Sequence, residues 1–231
     1  MRTEILGKNR GGECVYCGQT GAVTRDHIPP QNLFARPRPN NLITVPCCRN
    51  CNKGFELDDE YFRLAVTTGI SRELFPKEFD LSIQAINKLK QPRKIKFAKR
   101  MLASFAKRPV YTHGGLFLGE AGSLELDAER VVGTVRRVVR GLFFARSGRR
   151  LPTAGSVWVW SDWFGEGNGL DPESMASLKD IFEALCTQGI HVVGKSVFRY
   201  SYLMDGEDPC ASAWWLSFYE HRNFLAGTQV L

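Results

Sequence analysis

Two pairs of cysteines with the same spacing are the residues of this chain best suited to hold a metal ion. Cys14 and Cys17 form one C-x2-C pair, Cys48 and Cys51 form a second, and thirty residues separate the pairs. Two such pairs are typical of a tetrahedral Zn²⁺ site, in which four thiolates hold the ion at about 2.3 Å. A site with four cysteine ligands has no open position, so we expect this zinc to be structural rather than catalytic. Cys47 is an alternative to Cys48, and iron an alternative to zinc, although only Cys48 completes the C-x2-C spacing.

An Asp-His dipeptide, Asp26-His27, lies between the two cysteine pairs. Such a dipeptide is often only a surface pair, but zinc binding would hold this one beside Asn52, which directly follows Cys51. Carboxylate and amide oxygens suit a hard divalent cation such as Mg²⁺ or Mn²⁺. A neutral imidazole, with an ordinary pKa near ~6.5, suits a general base. The sequence therefore predicts a second cation, held by Asp26 and Asn52, next to a histidine base.

The order C-x2-C, Asp-His-Ile-Pro, Asn-Leu and C-x2-C-Asn-Lys over residues 12–65 resembles the zinc-containing form of the HNH (ββα-metal) endonucleases. The resemblance implies a ββα module that hydrolyses phosphodiester bonds, with Asp26 and Asn52 as metal ligands and His27 as the general base. It also implies that Asn41 is the structural asparagine that steadies the loop carrying the base, and that Lys53 contacts phosphate. Many members of the family carry His where Asn52 stands, and Asn is the other common variant.

The basic residues are concentrated in two segments that contain no acidic residue. Residues 81–119 contain nine lysines and arginines, residues 130–161 contain seven arginines, and the whole chain has a net charge of +7. Segregated charge of this kind indicates a positive surface that faces an anionic partner, although two solvated helix faces would give the same pattern. The expected nucleic-acid contacts outside the motif are Arg36, Arg38, Arg93, Lys96, Lys99 and Arg100.

The composition excludes several classes of protein. The chain has 231 residues, of which 43% are hydrophobic and 24% charged, values that are ordinary for a globular protein and unlike those of a disordered or fibrous one. No run of residues approaches the ~18 apolar residues that a membrane span needs, and we see no secretion signal, so we expect no membrane association and a cytoplasmic location. Seven cysteines, an odd number, favour thiols or metal ligands over disulfides.

The periodicity of apolar residues predicts an α+β fold in two units. In the first, a strand over 41–45 ends at Pro46 and a helix covers about 49–67. In the second, helices are expected around Ile95 to Phe105, over 127–146 and over 172–187. Strands rich in aromatic and β-branched residues are expected over 157–160, 197–203 and 213–220, with antiparallel pairing. The predicted units are an HNH nuclease module with a zinc knuckle at 1–75 and, at 76–231, a basic α+β domain that we expect to position nucleic acid or a partner.

The function that the sequence favours is a metal-dependent endonuclease with structural Zn²⁺ and catalytic Mg²⁺ or Mn²⁺, acting on nucleic acid, with DNA favoured. The alternatives are a non-catalytic zinc-knuckle protein that binds nucleic acid and a zinc-containing protein-interaction module. The presence of Asp26, His27 and Asn52 together favours the enzyme, because a protein that only binds needs none of the three for catalysis.

Overall fold

A computed structural model describes residues 12–21, 23–68, 70, 72–88, 99, 105–124, 126–153, 155–164 and 171–230. The predicted α+β class with antiparallel sheets is confirmed, because helices and strands alternate irregularly along the chain and every pair of neighbouring strands is antiparallel. In the described part of the chain, no helix is both long enough and apolar enough to cross a membrane.

The N-terminal unit consists of two hairpins and a helix. The short strands β1 (Gly12–Glu13) and β2 (Thr20–Gly21) pair around the first cysteine pair. Strand β3 (Val23–Ile28) pairs with β4 (Ile43–Cys48), and helix α1 (Arg49–Thr67) follows β4 without a break. The Cys48 sulfur accepts a hydrogen bond from the Cys51 backbone N–H and so caps the start of α1. The predicted helix over 49–67 is therefore confirmed.

Strand β4 does not end at Pro46 as the sequence predicted. Pro46 lies inside the strand, opposite Arg25, and the pairing continues to Cys48, opposite Val23. Proline is tolerated here because, among the strands that the structure describes, β4 pairs only with β3, so its other edge needs no ladder of N–H donors. The Pro46 carbonyl accepts a hydrogen bond from the Val15 backbone N–H at 3.1 Å, which attaches the first cysteine turn to the strand.

The C-terminal unit is built on a five-stranded antiparallel sheet in the order β7-β11-β10-β9-β8. Its strands are β7 (Gly155–Trp160), β8 (His191–Val193), β9 (Phe198–Met204), β10 (Ser212–Phe218) and β11 (Arg222–Val230). The predicted strands over 157–160 and 197–203 match β7 and β9 closely. The third ends at Phe218 rather than at 220, because Tyr219 and Glu220 have positive φ and form the turn into β11.

Helix α3 (Ala128–Ser147) connects the two units. It begins at the capping side chain of Asp127 and ends at Gly148, whose φ of 70° terminates the helix in the left-handed conformation. The helix packs against α1, β3 and β4 as well as against β7 and β11. Its apolar residues belong to one hydrophobic core that also contains Ile28 and Phe62 from the first unit and Phe218 from the sheet. The sequence-based units thus share a single core.

The remaining elements are two helices and a hairpin. Helix α2 (Pro76–Lys88) packs on α1, and helix α4 (Pro172–Cys186), which was predicted, packs on β9 and β10. Strands β5 (Phe105–Tyr111) and β6 (Phe117–Leu124) form a hairpin. The helix predicted around Ile95 to Phe105 lies almost wholly outside the described residues, and its last residue, Phe105, begins a strand instead.

The arginines of segment 130–161 do not form the free basic face that the sequence suggested. Arg137 is buried, and Arg140 donates hydrogen bonds to the carbonyls of Pro152 and Gly155. Similar internal contacts hold Arg130 on Asp58, Arg136 on Glu129 and the Val157 carbonyl, Arg146 on Tyr200, and Arg150 on Glu13. A guanidinium group has five N–H donors and can therefore bond to several neighbouring elements at once. The periodicity of the sequence does not predict such contacts.

Candidate metal centre and the site beside it

Four cysteines form a site that can hold a metal ion such as zinc. The sulfur atoms of Cys14, Cys17, Cys48 and Cys51 all lie within 4.8 Å of one another, and those of Cys17 and Cys48 are 3.7 Å apart. Four ligands at about 2.3 Å in a tetrahedron place their sulfurs about 3.8 Å apart, so this separation fits a shared Zn²⁺. Gly18 supports the first pair, because its φ of 76° closes the turn after Cys17.

The surroundings lower the pKa of one cysteine of the cluster, Cys14, and raise the pKa of Cys17 and of Cys51. Burial acts to raise the pKa of Cys14, but hydrogen bonds from the backbone of Cys17, Cys48 and Tyr16 outweigh it and lower that pKa to about 7. Burial and the neighbouring thiols raise the pKa of Cys51, as expected for several sulfurs crowded together. A bound cation reverses this effect, since it stabilises every thiolate that coordinates it.

Cys47 is not part of the cluster. Its side chain is completely buried, and its thiol donates a hydrogen bond to the Cys48 carbonyl at 3.4 Å. Its sulfur is not among the four that lie within 4.8 Å of one another. Cys48 is therefore the cysteine that completes the second pair, as the C-x2-C spacing predicted.

Asp26 is a buried carboxylate held from two sides. It lies on β3 with a side chain only 7% exposed, and its Oδ2 accepts a hydrogen bond from the Tyr16 hydroxyl at 2.6 Å. The Nε of Arg137, on helix α3, lies 3.9 Å from the same oxygen. Tyr16 stands between the first two metal-site cysteines, so the position of the Asp26 carboxylate depends on the fold of the cysteine turn.

Arg137 links Asp26 to a second carboxylate. It donates a hydrogen bond to Asp59 on α1, and its guanidinium lies 4.3 Å above the ring of Phe55. Burial raises the pKa of Asp59 from its ordinary value of 3.8 to about 6, although the charge of Arg137 opposes the rise. The buried cation is thus surrounded by two carboxylates and an aromatic ring, a combination that compensates for its removal from water.

His27 lies in a different environment from its neighbour Asp26. Successive side chains of a strand point to opposite faces, so His27 points away from the face that carries Asp26. His27 is half-buried opposite Thr44. Burial lowers the pKa of His27, the charge of Asp26 opposes this, and the charges of Arg38 and Arg25 add to it. The imidazole is therefore held in its neutral form near pH 7.

Asn52 lies in the first turn of α1, against the β3 face that carries Asp26. Its Nδ2 donates a hydrogen bond to the Thr24 hydroxyl at 2.8 Å, and that hydroxyl donates to the Cys47 carbonyl. Thr24 and Asp26 are two residues apart in the same strand, so they share a face. Because Asn52 donates through its nitrogen, its carbonyl oxygen is the atom suited to bind a cation.

The other residues predicted for the site lie on the surface. The exposed Asn41 donates a hydrogen bond to the Val192 carbonyl at 3.0 Å, which attaches its loop to β8. Lys53 is exposed on α1, and Arg36 and Arg38 are exposed on the loop between β3 and β4. Lys99 is exposed as well, whereas Arg93, Lys96 and Arg100 lie outside the described residues.

Comparison of the chain with known protein families, with curated proteins and with solved structures finds no match.

The sequence did not single out three side chains that contact the predicted residues. Tyr16, Arg137 and Asp59 form the surroundings of Asp26, and Arg137 is separated from it by more than a hundred residues. The position of Tyr16 inside the first C-x2-C pair was a local signal for it. Nothing local marks Arg137, because an arginine on an amphipathic helix is usually exposed.

Proposed function

We propose that this chain is a metal-dependent endonuclease of the HNH type, which hydrolyses phosphodiester bonds in nucleic acid, with DNA favoured. One observation carries the proposal. Asp26 and His27 lie on β3, the first strand of a hairpin whose second strand, β4, leads directly into α1. Asn52 lies in the first turn of that helix, and the cluster of four cysteines lies beside the start of the helix. This strand-strand-helix order supports the ββα arrangement that the resemblance implies.

The residues fit the divalent cation that the reaction requires. Asp26 offers a carboxylate and Asn52 an amide oxygen on adjoining elements, which is a hard donor set suited to Mg²⁺ or Mn²⁺. When bound, such an ion neutralises charge on the phosphate and on the leaving oxygen. Tyr16 fixes the orientation of the Asp26 carboxylate through its hydrogen bond.

His27 acts as the general base in this proposal. Its lowered pKa leaves the imidazole nitrogen free to accept a proton from the attacking water at neutral pH. The water oxygen forms a bond to phosphorus as the bond to the 3′ oxygen breaks. The 3′ oxygen takes a proton from solvent water, which gives the 5′-phosphate and 3′-hydroxyl products expected of the family. The Lys53 ammonium, exposed one residue after Asn52, contacts a phosphate in this proposal.

The second candidate is a non-catalytic zinc-knuckle protein that binds nucleic acid. One observation favours it: the Asp26 carboxylate already has a hydrogen-bond donor in Tyr16 and a cation in Arg137 nearby, as a structural buried carboxylate has. In that case the protein binds nucleic acid without cutting it.

An assay with the purified full chain separates the two functions. Plasmid, linear DNA and RNA are incubated with Mg²⁺, with Mn²⁺ or with neither, and the products and the zinc content are both measured. We expect cleavage that requires the added cation. Binding without cleavage by protein that retains its zinc would overturn the nuclease and support the second candidate. The absence of both binding and cleavage would leave only the protein-interaction module.

A further inference from the structure

A groove of about 560 Å³ lies between the β3–β4 loop and helices α1 and α2. Four basic residues line it: Arg36 and Arg38 from the loop, Arg63 from α1 and Lys77 from the first turn of α2. The one acidic residue in the lining, Asp80, lies 4.0 Å from Arg72. The groove therefore has a local excess of three positive charges, which the totals for segments 81–119 and 130–161 did not reveal.

Arg63 distinguishes this groove from an ordinary basic surface. Its side chain is only 12% exposed, and among the described residues its Nε has no hydrogen-bond partner. The Oε1 of Glu60 lies 3.9 Å from the Nη2 of Arg63, which is close to the distance limit for an ion pair. Burial lowers the pKa of Arg63, which means that its charged form is poorly solvated. An anion in the groove would compensate for that lost solvation.

One residue of the groove lies within electrostatic range of the proposed catalytic base. Arg38 lines the groove and at the same time acts electrostatically on His27. A chain of phosphates that passes His27 could therefore continue along Arg38 and Arg36 towards Arg63 and Lys77. The volume lies within the range of ligand sites and above the need of a single inorganic ion.

We propose that this groove binds the phosphodiester backbone of a nucleic-acid strand next to the bond that is cut. The inference rests on the proposed nuclease function, because it gives the substrate of that site its path across the surface. The guanidinium groups of Arg36, Arg38 and Arg63 contact phosphate oxygens, which they suit by geometry and charge. Such contacts set position rather than sequence preference.

The test compares two variants of the full chain that lose the same charge. The groove variant is Arg36→Gln, Arg38→Gln and Lys77→Gln, all at exposed positions, and the control is Arg149→Gln, Lys179→Gln and Lys195→Gln, also exposed. Binding of a labelled 12-nucleotide single strand is measured by fluorescence anisotropy without added divalent cation. Zinc content and circular dichroism verify that both variants are folded.

We expect the groove variant to bind the strand at least about ten-fold more weakly than the control does. Each lost phosphate contact should lower the slope of log Kd against log salt by roughly 0.7, so the loss of three charges should lower that slope by about two. Equal weakening in the two variants would overturn the inference. As a single-site confirmation, Lys77→Glu should weaken binding more than Lys179→Glu, and equal effects of the two would also count against it.

Competition distinguishes a strand from a small anion. We expect inorganic phosphate and a mononucleotide to displace the labelled strand only at concentrations at least a hundred-fold above the unlabelled 12-mer. A mononucleotide that competes as well as the 12-mer would overturn the strand-binding proposal in favour of a small-ligand site. Binding is measured without cleavage, so failure of this inference and failure of the nuclease proposal give different results. If the inference fails, the groove variant and the control variant bind the strand equally well. If the nuclease proposal fails, the wild-type chain gives no cleavage product.

Discussion

His27 and Asp26 are neighbours in the chain, but the structure gives them separate tasks. Asp26 is buried and held by Tyr16 and Arg137, whereas His27 is half-buried and faces away from it. Removing one side chain should therefore change a different property of the proposed nuclease from removing the other.

Replacing His27 by Ala should reduce cleavage by ~10²-fold or more, the usual contribution of a general base, and leave the zinc content unchanged. Steady-state cleavage of plasmid DNA measures the effect. Thr44→Ala, at the exposed position opposite His27 in the hairpin, is the matched control and should retain activity. Cleavage by His27→Ala at the wild-type rate would remove His27 from the mechanism.

Replacing Asn52, the proposed metal ligand, has a different expected effect: Asn52→Ala should shift the Mg²⁺ dependence of cleavage to higher concentration.

Asp59 should make stability depend on pH in a recognisable way. Its pKa is about 6 in the folded chain and near 3.8 when unfolded, so the folded state binds more protons between these values. Stability from this group is therefore highest at low pH and falls as pH rises from about 4 to above 6, by up to roughly 2–3 kcal/mol.

Urea unfolding at several pH values tests this expectation against Asp59→Asn, which keeps the side-chain volume but does not titrate. The wild type should lose stability relative to the variant as the pH is raised through that window. A difference between the two proteins that does not change with pH would contradict the raised pKa.

The site could be predicted from sequence where its residues follow a local pattern. The four cysteines repeat one spacing, and the structure brings together the four that this spacing selects. The partners of Asp26 could not be predicted in the same way. Arg137 reaches it from α3, and that contact depends on how two elements pack rather than on any motif.

At the scale of elements, the cysteine cluster joins three pieces of backbone, namely the first turn, the end of β4 and the start of α1. Cys14→Ser should therefore lose bound zinc and unfold residues 12–68, because metal-binding energy in such a site is folding energy. Metal analysis should find about one Zn²⁺ per chain in the wild type, and hydrogen exchange should locate the unfolding.

Cys47→Ala provides the control for the cysteine experiment. It removes a buried thiol next to the cluster but no ligand, so we expect the zinc to remain and stability to fall by only about 1 kcal/mol. Zinc loss from Cys47→Ala, or zinc retention by Cys14→Ser, would show that the ligand set is wrong.

Helix α3 approaches the β3–β4 hairpin closely at a glycine. A Cβ added to Gly141 would lie 2.5 Å from Cδ1 of Ile28, the buried residue that follows His27, whereas one added to Gly133 would meet nothing within 4 Å. Alanine is a better helix former than glycine by roughly 1 kcal/mol, so Gly133→Ala should stabilise the chain. Gly141→Ala should instead lower the Tm by several degrees, because overpacking costs about 1–3 kcal/mol.

Thermal unfolding of the two alanine variants decides this prediction. Equal stabilisation by both would mean that α3 and the hairpin can separate without cost, contrary to the packing of Ile28 in the core.

Element prediction was accurate for three amphipathic helices, missed helix α2 although it is also amphipathic, and was poor where strand pairing decides. Helices α1, α3 and α4 follow clear apolar stripes and were predicted within a few residues. Strand β11 was missed because its sequence, with Gly227 and Gln229, lacks regular alternation. It is nevertheless a strand, since β10 and β7 supply partners on both sides.

For the molecule as a whole, the concentration of basic residues in segment 81–119 still predicts electrostatic binding of nucleic acid. Neutralising Arg93, Lys96, Lys99 and Arg100 together should weaken DNA binding about equally for all sequences, and should reduce the salt dependence by roughly 0.9 per lost duplex contact. Cleavage should recover at high protein concentration, because the proposed catalytic residues are untouched. If the variant binds like the wild type at every salt concentration, these charges only solvate the chain.

Contacts from the C-terminal sheet hold the loop between β3 and β4. The Tyr219 hydroxyl donates to the Leu33 carbonyl at 2.7 Å, Asn41 donates to Val192, and a Cβ at Gly194 would collide with the ring of Phe34. Recombination that moved residues 12–68 alone into another gene would leave this loop without its supports. The motif should therefore be inherited together with the sheet, and a descendant with a larger residue at 194 should carry a smaller one at 34.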